Sequence, residues 1–139
     1  VTFNLDVDVA RPPAEVFAWL ADLRNRPRWQ ASLRGIELAG EPPYGVGTRW
    51  IDVTWPGVRP RMEVTGFEPG MWWAEQGRWH GLVVDLVLEF LPSGAGTTVR
   101  ATASTHAPGW RRPLGWALDR IGPVAARDDL RRAARLLEG

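Results

Sequence analysis

The stretch Thr48–Val64, "TRWIDVTWPGVRPRMEV", decides how the rest of the chain is read. Pro56-Gly57 is turn chemistry set between two runs of alternating character, so the segment reads as two strands joined by a tight link. Strands joined so closely pair antiparallel. With a regular turn at Pro56-Gly57, residues 54 and 59, 52 and 61, and 50 and 63 lie opposite one another and share a face. That face holds Trp50, Asp52, Thr54, Arg59, Arg61 and Glu63, and the other holds Ile51, Val53, Met62 and Val64. Apolar alternation alone turns the second set inward as ordinary core. The first set would make a charged chamber, with Asp52 facing Arg61 and Glu63 beside Trp50.

Outward from this hairpin the same grammar repeats. Strand-like runs fall at 33–39, 46–54, 59–67, 72–79, 83–91 and 97–106, separated by Gly40 to Gly47, Pro56-Gly57, Pro69-Gly70, His80-Gly81 and Pro92-Ser93-Gly94. Upstream, Phe3, Leu5, Val7 and Val9 alternate with polar residues, the period of a half-buried strand. Pro12-Pro13 then opens a helix with Val16, Trp19, Leu20 and Leu23 on one stripe, proline being tolerated where its missing N–H has no intrahelical partner. Asn25 is expected to cap a second short helix running through Pro27 and Trp29. Residues 110–138 read as a long helix, with Leu114, Leu118, Ile121 and Ala125 on one stripe and Leu130, Ala133 and Leu137 on a rotated one. Pro123, after Gly122, accounts for the change of phase. A seven-stranded antiparallel sheet, two short helices after the first strand and one long C-terminal helix make an α+β protein.

Composition bounds the function. A chain of 139 residues is one domain, 1–139, able to bury roughly 70% of its unfolded surface without staples. Its 17 basic residues, all arginine, nearly balance 16 acidic ones, which supplies no global field for nucleic acid. The absence of lysine removes Schiff-base chemistry. The absence of cysteine removes thiol catalysis and cysteine metal sites, and fits a cytoplasmic protein. No apolar run approaches the ~20 residues of a membrane span, and no signal-peptide pattern is present, so membrane insertion is not expected. Nine tryptophans are the anomaly, and their placement matters more than their number.

The element order β-α-α-β6-α, with "ARPPAEVFAWLADLRNRPRW" near the start, "GVGTRW" opening the third strand, "FEPGMWW" across a turn and "FLPSGAGTTVRA" before the last strand, resembles the START/helix-grip (SRPBCC) superfamily, in its polyketide cyclase/dehydrase-like branch. The resemblance spans essentially the whole chain. It implies a curved sheet wrapped around the C-terminal helix, with an internal cavity for a hydrophobic or aromatic, polyketide- or lipid-like molecule. It also implies that Trp29 is structural. Counted from "GVGT", the family register turns Trp50, Asp52 and Thr54 toward the chamber, against the apolar alternation. In 72–79 it turns Trp72, Ala74 and Gln76 inward and leaves Trp73, Glu75 and Trp79 outward, although a one-residue slip would reverse these faces.

The remaining candidates follow from the residues. Leu86, Leu88 and Phe90, with Val84, form one apolar face. Val99, Ala101 and Ala103 align with Thr105, and the small alanines leave volume beneath the long helix, on which Leu118 points from the apolar stripe. His80 and His106 sit on separate elements without cysteine or regular carboxylate spacing, so no metal or other cofactor is expected. No Gly-x-Ser-x-Gly surrounds a serine. Gly45 and Gly47 precede no helix and read as strand glycines. The C-terminal arginines are interleaved with acids, and Asp128 to Arg132 suits a surface ion pair.

Three functions are consistent with this pattern. The first is a carrier or sensor that binds a ligand. The second is a cyclase or dehydratase in which Asp52, Arg61 and Glu63 hold an oxygen and move a proton. The third is an interaction module using Trp73, Trp79, Trp110 and Trp116, the last two also suited to gating the cavity or to a homodimer contact.

Overall fold

The computed structural model describes residues 2–38, 40–55 and 57–139, with the side chains of Leu38, Leu114 and residues 116–121 outside the described set. Seven strands form one antiparallel sheet: β1 (Thr2–Val9), β2 (Leu33–Leu38), β3 (Arg49–Thr54), β4 (Arg61–Glu68), β5 (Trp72–Trp79), β6 (Leu82–Ser93) and β7 (Gly96–His106). Their spatial order is β1-β7-β6-β5-β4-β3-β2. The expected meander is present, and β1 closes it by pairing with the last strand, Leu5 opposite Ala101 and Val7 opposite Val99. His80 and Gly81, at φ 46° and 83°, make the tight link that sets Trp79 opposite Leu82. Two adjacent residues with positive φ match the twist of the strands they join.

Between β1 and β2 lie α1 (Pro13–Leu20), a single 3₁₀ turn at Leu23–Asn25 and α2 (Arg26–Trp29). Asn25 does not cap α2: it is itself helical, and its side-chain amide donates to the Trp19 carbonyl. The cap in this region is Asp22, which accepts from the Arg24 N–H. The last helix, α3 (Arg112–Glu138), runs through Pro123. Leu130 and Ala133 of its second stripe are buried, whereas Ala125 is exposed and Ala126 packs against the core in its place. Of the first stripe, the side chains of Leu114, Leu118 and Ile121 lie outside the described residues. Arg132 pairs with Asp129 at 3.1 Å, rather than with Asp128 as the spacing of four suggested. It also donates to the Trp29 carbonyl, and Asp129 accepts from the Ala31 N–H, so α3 is tied to α2 and the segment after it.

The sheet has a wet face and a dry face. Outward run Asp6–Arg100, Arg49–Glu63 and Arg59–Glu37 ion pairs. Inward, Phe17, Phe67, Trp73 and Phe90 pack ring against ring, with centroids 5.3–6.4 Å apart, and fill the grip where α1 meets the sheet. Trp29 is buried in the same core. Burying such rings contributes roughly 1.5–3 kcal/mol each and makes this end of the fold solid. Among the described residues no helix is long and apolar enough to cross a membrane.

Candidate functional site

The register of the opening hairpin determines what the chamber contains. Trp50 lies opposite Met62 and Ile51 opposite Arg61, while the Asp52 N–H reaches the Pro60 carbonyl and the Thr54 N–H that of Val58. The connection is therefore one residue longer than a two-residue turn, and every side chain of β4 is displaced to the opposite face from that expected. Of the link itself, Pro56 lies outside the described residues. Trp50 and Asp52 are buried and Thr54 half-buried, all turned inward as the family resemblance implied. Met62 and Val64 join them on the inner face. Arg61 and Glu63 do not: they stand on the outer face, Arg61 exposed and Glu63 paired with Arg49. The hairpin is thus neither the apolar face nor the charged face of the two sequence alternatives.

The displaced register of β4 carries into β5. Val64 pairs with Glu75 and Gly66 with Ala74, so one residue of β4 bulges out, and Phe67, opposite Trp73, returns to the inner face. Trp73 and Glu75 are therefore inside, each 2% exposed, together with Gly77 and Trp79. Trp72, Ala74 and Gln76 are outside, contrary to expectation, with Gln76 donating to Asp85 and Trp72 lying over Gly66. A Cβ on Gly66 would come within 2.8 Å of the Trp72 ring, so this glycine leaves the space the indole occupies.

The inner face carries a polar cluster whose central cation is absent from the sequence candidates. Arg26, at the start of α2, is 1% exposed and forks onto Glu75 with Nη2–Oε1 2.6 Å and Nη1–Oε2 3.0 Å. Its guanidinium also lies 5.2 Å from the Trp29 ring centroid and 5.7 Å from that of Trp50. The Trp73 indole N–H donates to Glu75 Oε1 at 2.8 Å, and the Trp50 indole N–H donates to Asp52 Oδ1 at 2.9 Å. Burial opposes the charge on Arg26 and on Glu75, but their mutual attraction and hydrogen bonds outweigh it. The Arg26 pKa is therefore raised and that of Glu75 lowered. Asp52 is left on the losing side. Burial, with the Glu75 charge adding to it, pushes its carboxyl up to about 6 against the pull of Arg26 and Trp50.

Beside this cluster is a cavity of about 470 Å³. Its walls come from β3–β6 and from the segments around residues 30–32 and 55–60, with Met62, Trp79, Leu82, Val84 and Leu86 supplying apolar surface and Asp52 and Glu75 the carboxylates. Gly77 also borders it, and a Cβ there would meet the Met62 sulfur at 2.8 Å, so the missing side chain makes room for Met62. Of the expected ligand-facing residues, Asp52, Thr54 and Leu86 line this space. Trp50 is packed behind Asp52, while Leu88, Phe90, Val99, Ala101 and Ala103 face inward but are buried in solid core rather than on the cavity wall. Leu118 has its side chain outside the described residues. Trp79, read as outward, is on the wall, with Arg111 stacked on its ring at 4.6 Å.

Arg26 and Glu75 escaped the sequence reading for different reasons. Glu75 alternates with Trp73 and Gly77, a polar residue in an apolar face, but which face that was depended on the displaced register of β4. Arg26 stands in a four-residue helix too short to have a periodicity.

No curated protein sequence matches the chain significantly. Its fold is shared widely among solved structures. Ara h 8.0201 superposes with a TM-score of 0.77 at 14% identity, covering 99% of this chain and 97% of that one. The di-domain ARO/CYC protein StfQ of the steffimycin biosynthetic pathway gives 0.78 at 15%, covering 99% of this chain and 50% of that one. Norcoclaurine synthase of Thalictrum flavum, as a point mutant with a transition-state analogue, gives 0.77 at 15%, covering 99% and 93%. These likenesses establish the helix-grip fold. With residues 1–138 matching it, the chain belongs to the family described as polyketide cyclase/dehydrase and lipid transport, within the START-like superfamily.

Proposed function

We propose that this protein binds a small, largely apolar or aromatic molecule in the cavity between β3–β6 and the α2–β2 link, as a carrier or sensor. The cavity carries the proposal. At about 470 Å³ it falls within the roughly 300–1,000 Å³ of small-molecule sites, and its apolar walls meet a few convergent polar groups. The family's description, lipid transport included, fits such a role. A second reading, cyclase or dehydratase, is favoured by Asp52 alone. A carboxylate near neutrality at the wall of an apolar cavity can take a proton from an activated C–H and return it to a leaving hydroxyl. StfQ and norcoclaurine synthase show that related folds host enzymes. Arg61 and Glu63 have no part in that chemistry from the outer face. The interaction-module reading loses Trp73, which is buried.

Native mass spectrometry of the purified protein, beside its Leu86→Trp variant, tests binding. A retained small molecule, or uptake of the neutral probe N-phenyl-naphthylamine, is expected for the wild type and lost on filling the cavity. Equal uptake by both proteins would place binding elsewhere. Turnover would be sought afterwards with any ligand so recovered, and loss of turnover with retention of binding in Asp52→Asn would select the enzyme reading.

A further inference from the structure

The charges around the cavity specify more than an apolar ligand. Arg26 is the one cation in the inner cluster among the described residues, and both ends of its guanidinium fork are committed to Glu75, with Nη1 also reaching Gln30 at 3.2 Å. Glu75 is in turn satisfied by Arg26 and by the Trp73 indole. Asp52 receives a single hydrogen bond, from Trp50 to Oδ1, and its other oxygen has no partner among the described residues although the side chain lines the cavity. One arginine against two carboxylates leaves one uncompensated negative charge at the wall. Arg61, which would have supplied a cation, points to the outer face, and Arg78, which borders the cavity, is exposed and has its guanidinium drawn to Gln76 through an Nε–H donated to Oε1. Arg111 is stacked between Trp79 and Trp110 and is not part of the wall.

Building on the cavity-binding function above, we infer that the ligand carries a protonated amine or similar cationic nitrogen that pairs with the free oxygen of Asp52, with an aromatic or aliphatic body against Met62, Trp79, Val84 and Leu86. An ammonium supplies the missing positive charge and donates to the open oxygen, so it completes the cluster. A ligand carboxylate would place a third negative charge beside Asp52 and Glu75 while the charged fork of Arg26 is already held by Glu75, and like charges brought together in a partly dry site repel strongly. A neutral apolar body gains the wall contacts but leaves Asp52 uncompensated. The ligand class is therefore amphipathic amines rather than fatty or aromatic acids.

The test uses a matched series with one aromatic body, namely naphthylethylamine, ethylnaphthalene and naphthylacetate, each displacing N-phenyl-naphthylamine at neutral pH from the wild type and from Asp52→Asn. For the wild type the amine is expected to displace the probe at a concentration at least about tenfold below that of the acetate, with ethylnaphthalene between them. In Asp52→Asn the amine's advantage over ethylnaphthalene should collapse while the probe still binds. An amine preference over the acetate of less than about tenfold in the wild type, or an amine advantage over ethylnaphthalene that survives Asp52→Asn, overturns the inference while leaving cavity binding intact. If the probe fails to enter the wild type at all, cavity binding itself fails and the inference with it. The wild-type comparison needs no variant, so it holds even if the substitution perturbs folding.

Discussion

Replacing Asp52 by Asn should make the protein more stable at pH 7.5. The Asp52 carboxyl is raised from 3.8 to about 6 in the folded state, chiefly by burial. A folded-state pKa above the unfolded one means that the native protein holds this proton more tightly. Its contribution is therefore full below about pH 4 and is lost as pH rises through 6. The gap of about two units corresponds to about 3 kcal/mol at about 1.4 kcal/mol per unit, all of it forfeited by pH 7.5. Asparagine has nearly the same shape, carries no charge to desolvate, and can still accept from the Trp50 indole through Oδ1. Urea unfolding of wild type and variant at intervals from pH 4 to 8 measures the difference directly. The expected difference climbs between about pH 4 and 6 and reaches a plateau above about pH 7, with the variant ahead there by about 2–3 kcal/mol. Subtracting the two proteins cancels Asp129, whose pKa burial also raises. Glu75, whose pKa is lowered, costs stability only as pH falls below the ordinary glutamate range, beneath the window in which Asp52 acts. A variant less stable at pH 7.5, or a difference independent of pH, would show that Asp52 is compensated in the native state and would refute the charge accounting of the cavity.

Three further outcomes follow from the same geometry. Arg26→Met should destabilise by about 3–5 kcal/mol, because it strands the buried Glu75 carboxylate, while Arg26→Met with Glu75→Leu should be much milder; chemical unfolding of the four proteins of this cycle gives the coupling. Arg61→Ala should change stability by no more than about 1 kcal/mol and leave probe binding untouched, since Arg61 is exposed on the outer face. Ala101→Phe should cost about 1–3 kcal/mol or more in thermal unfolding without blocking the probe, because Ala101 is 1% exposed in packed core and does not border the cavity.

The fold was legible because each strand announced itself by alternation and each turn by glycine or proline. The site was legible only in part because alternation fixes the two faces of a strand without saying which one is dry. Two local irregularities decided that. The link after Thr54 closes on Val58 rather than on Arg59, which turned Met62 inward and Arg61 outward. Pairing of Val64 with Glu75 carried that register into β5 and set the face of Trp73 and Glu75, while the bulge between Val64 and Gly66 brought Phe67 back to the same face. Neither is visible in composition or spacing, since each adds one residue to a segment already full of plausible partners. On β3, whose own residues run without a bulge because the shift in its ladder with β2 falls on β2 between Leu33 and Gly35, Trp50, Asp52 and Thr54 face inward, as the family resemblance implied.

What the slip changed was the chemistry rather than the architecture. With Arg61 inside, the chamber would balance Asp52 with its own cation and could hold an anionic oxygen. With Arg61 outside, that task falls to Arg26, which approaches from α2 and is already held by Glu75. The same Asp52 then changes from half of an ion pair to an unmatched charge on an apolar wall. Its cost in stability and its pull on a ligand cation are two consequences of one fact, so the titration difference and the amine preference should appear together and vanish together in Asp52→Asn.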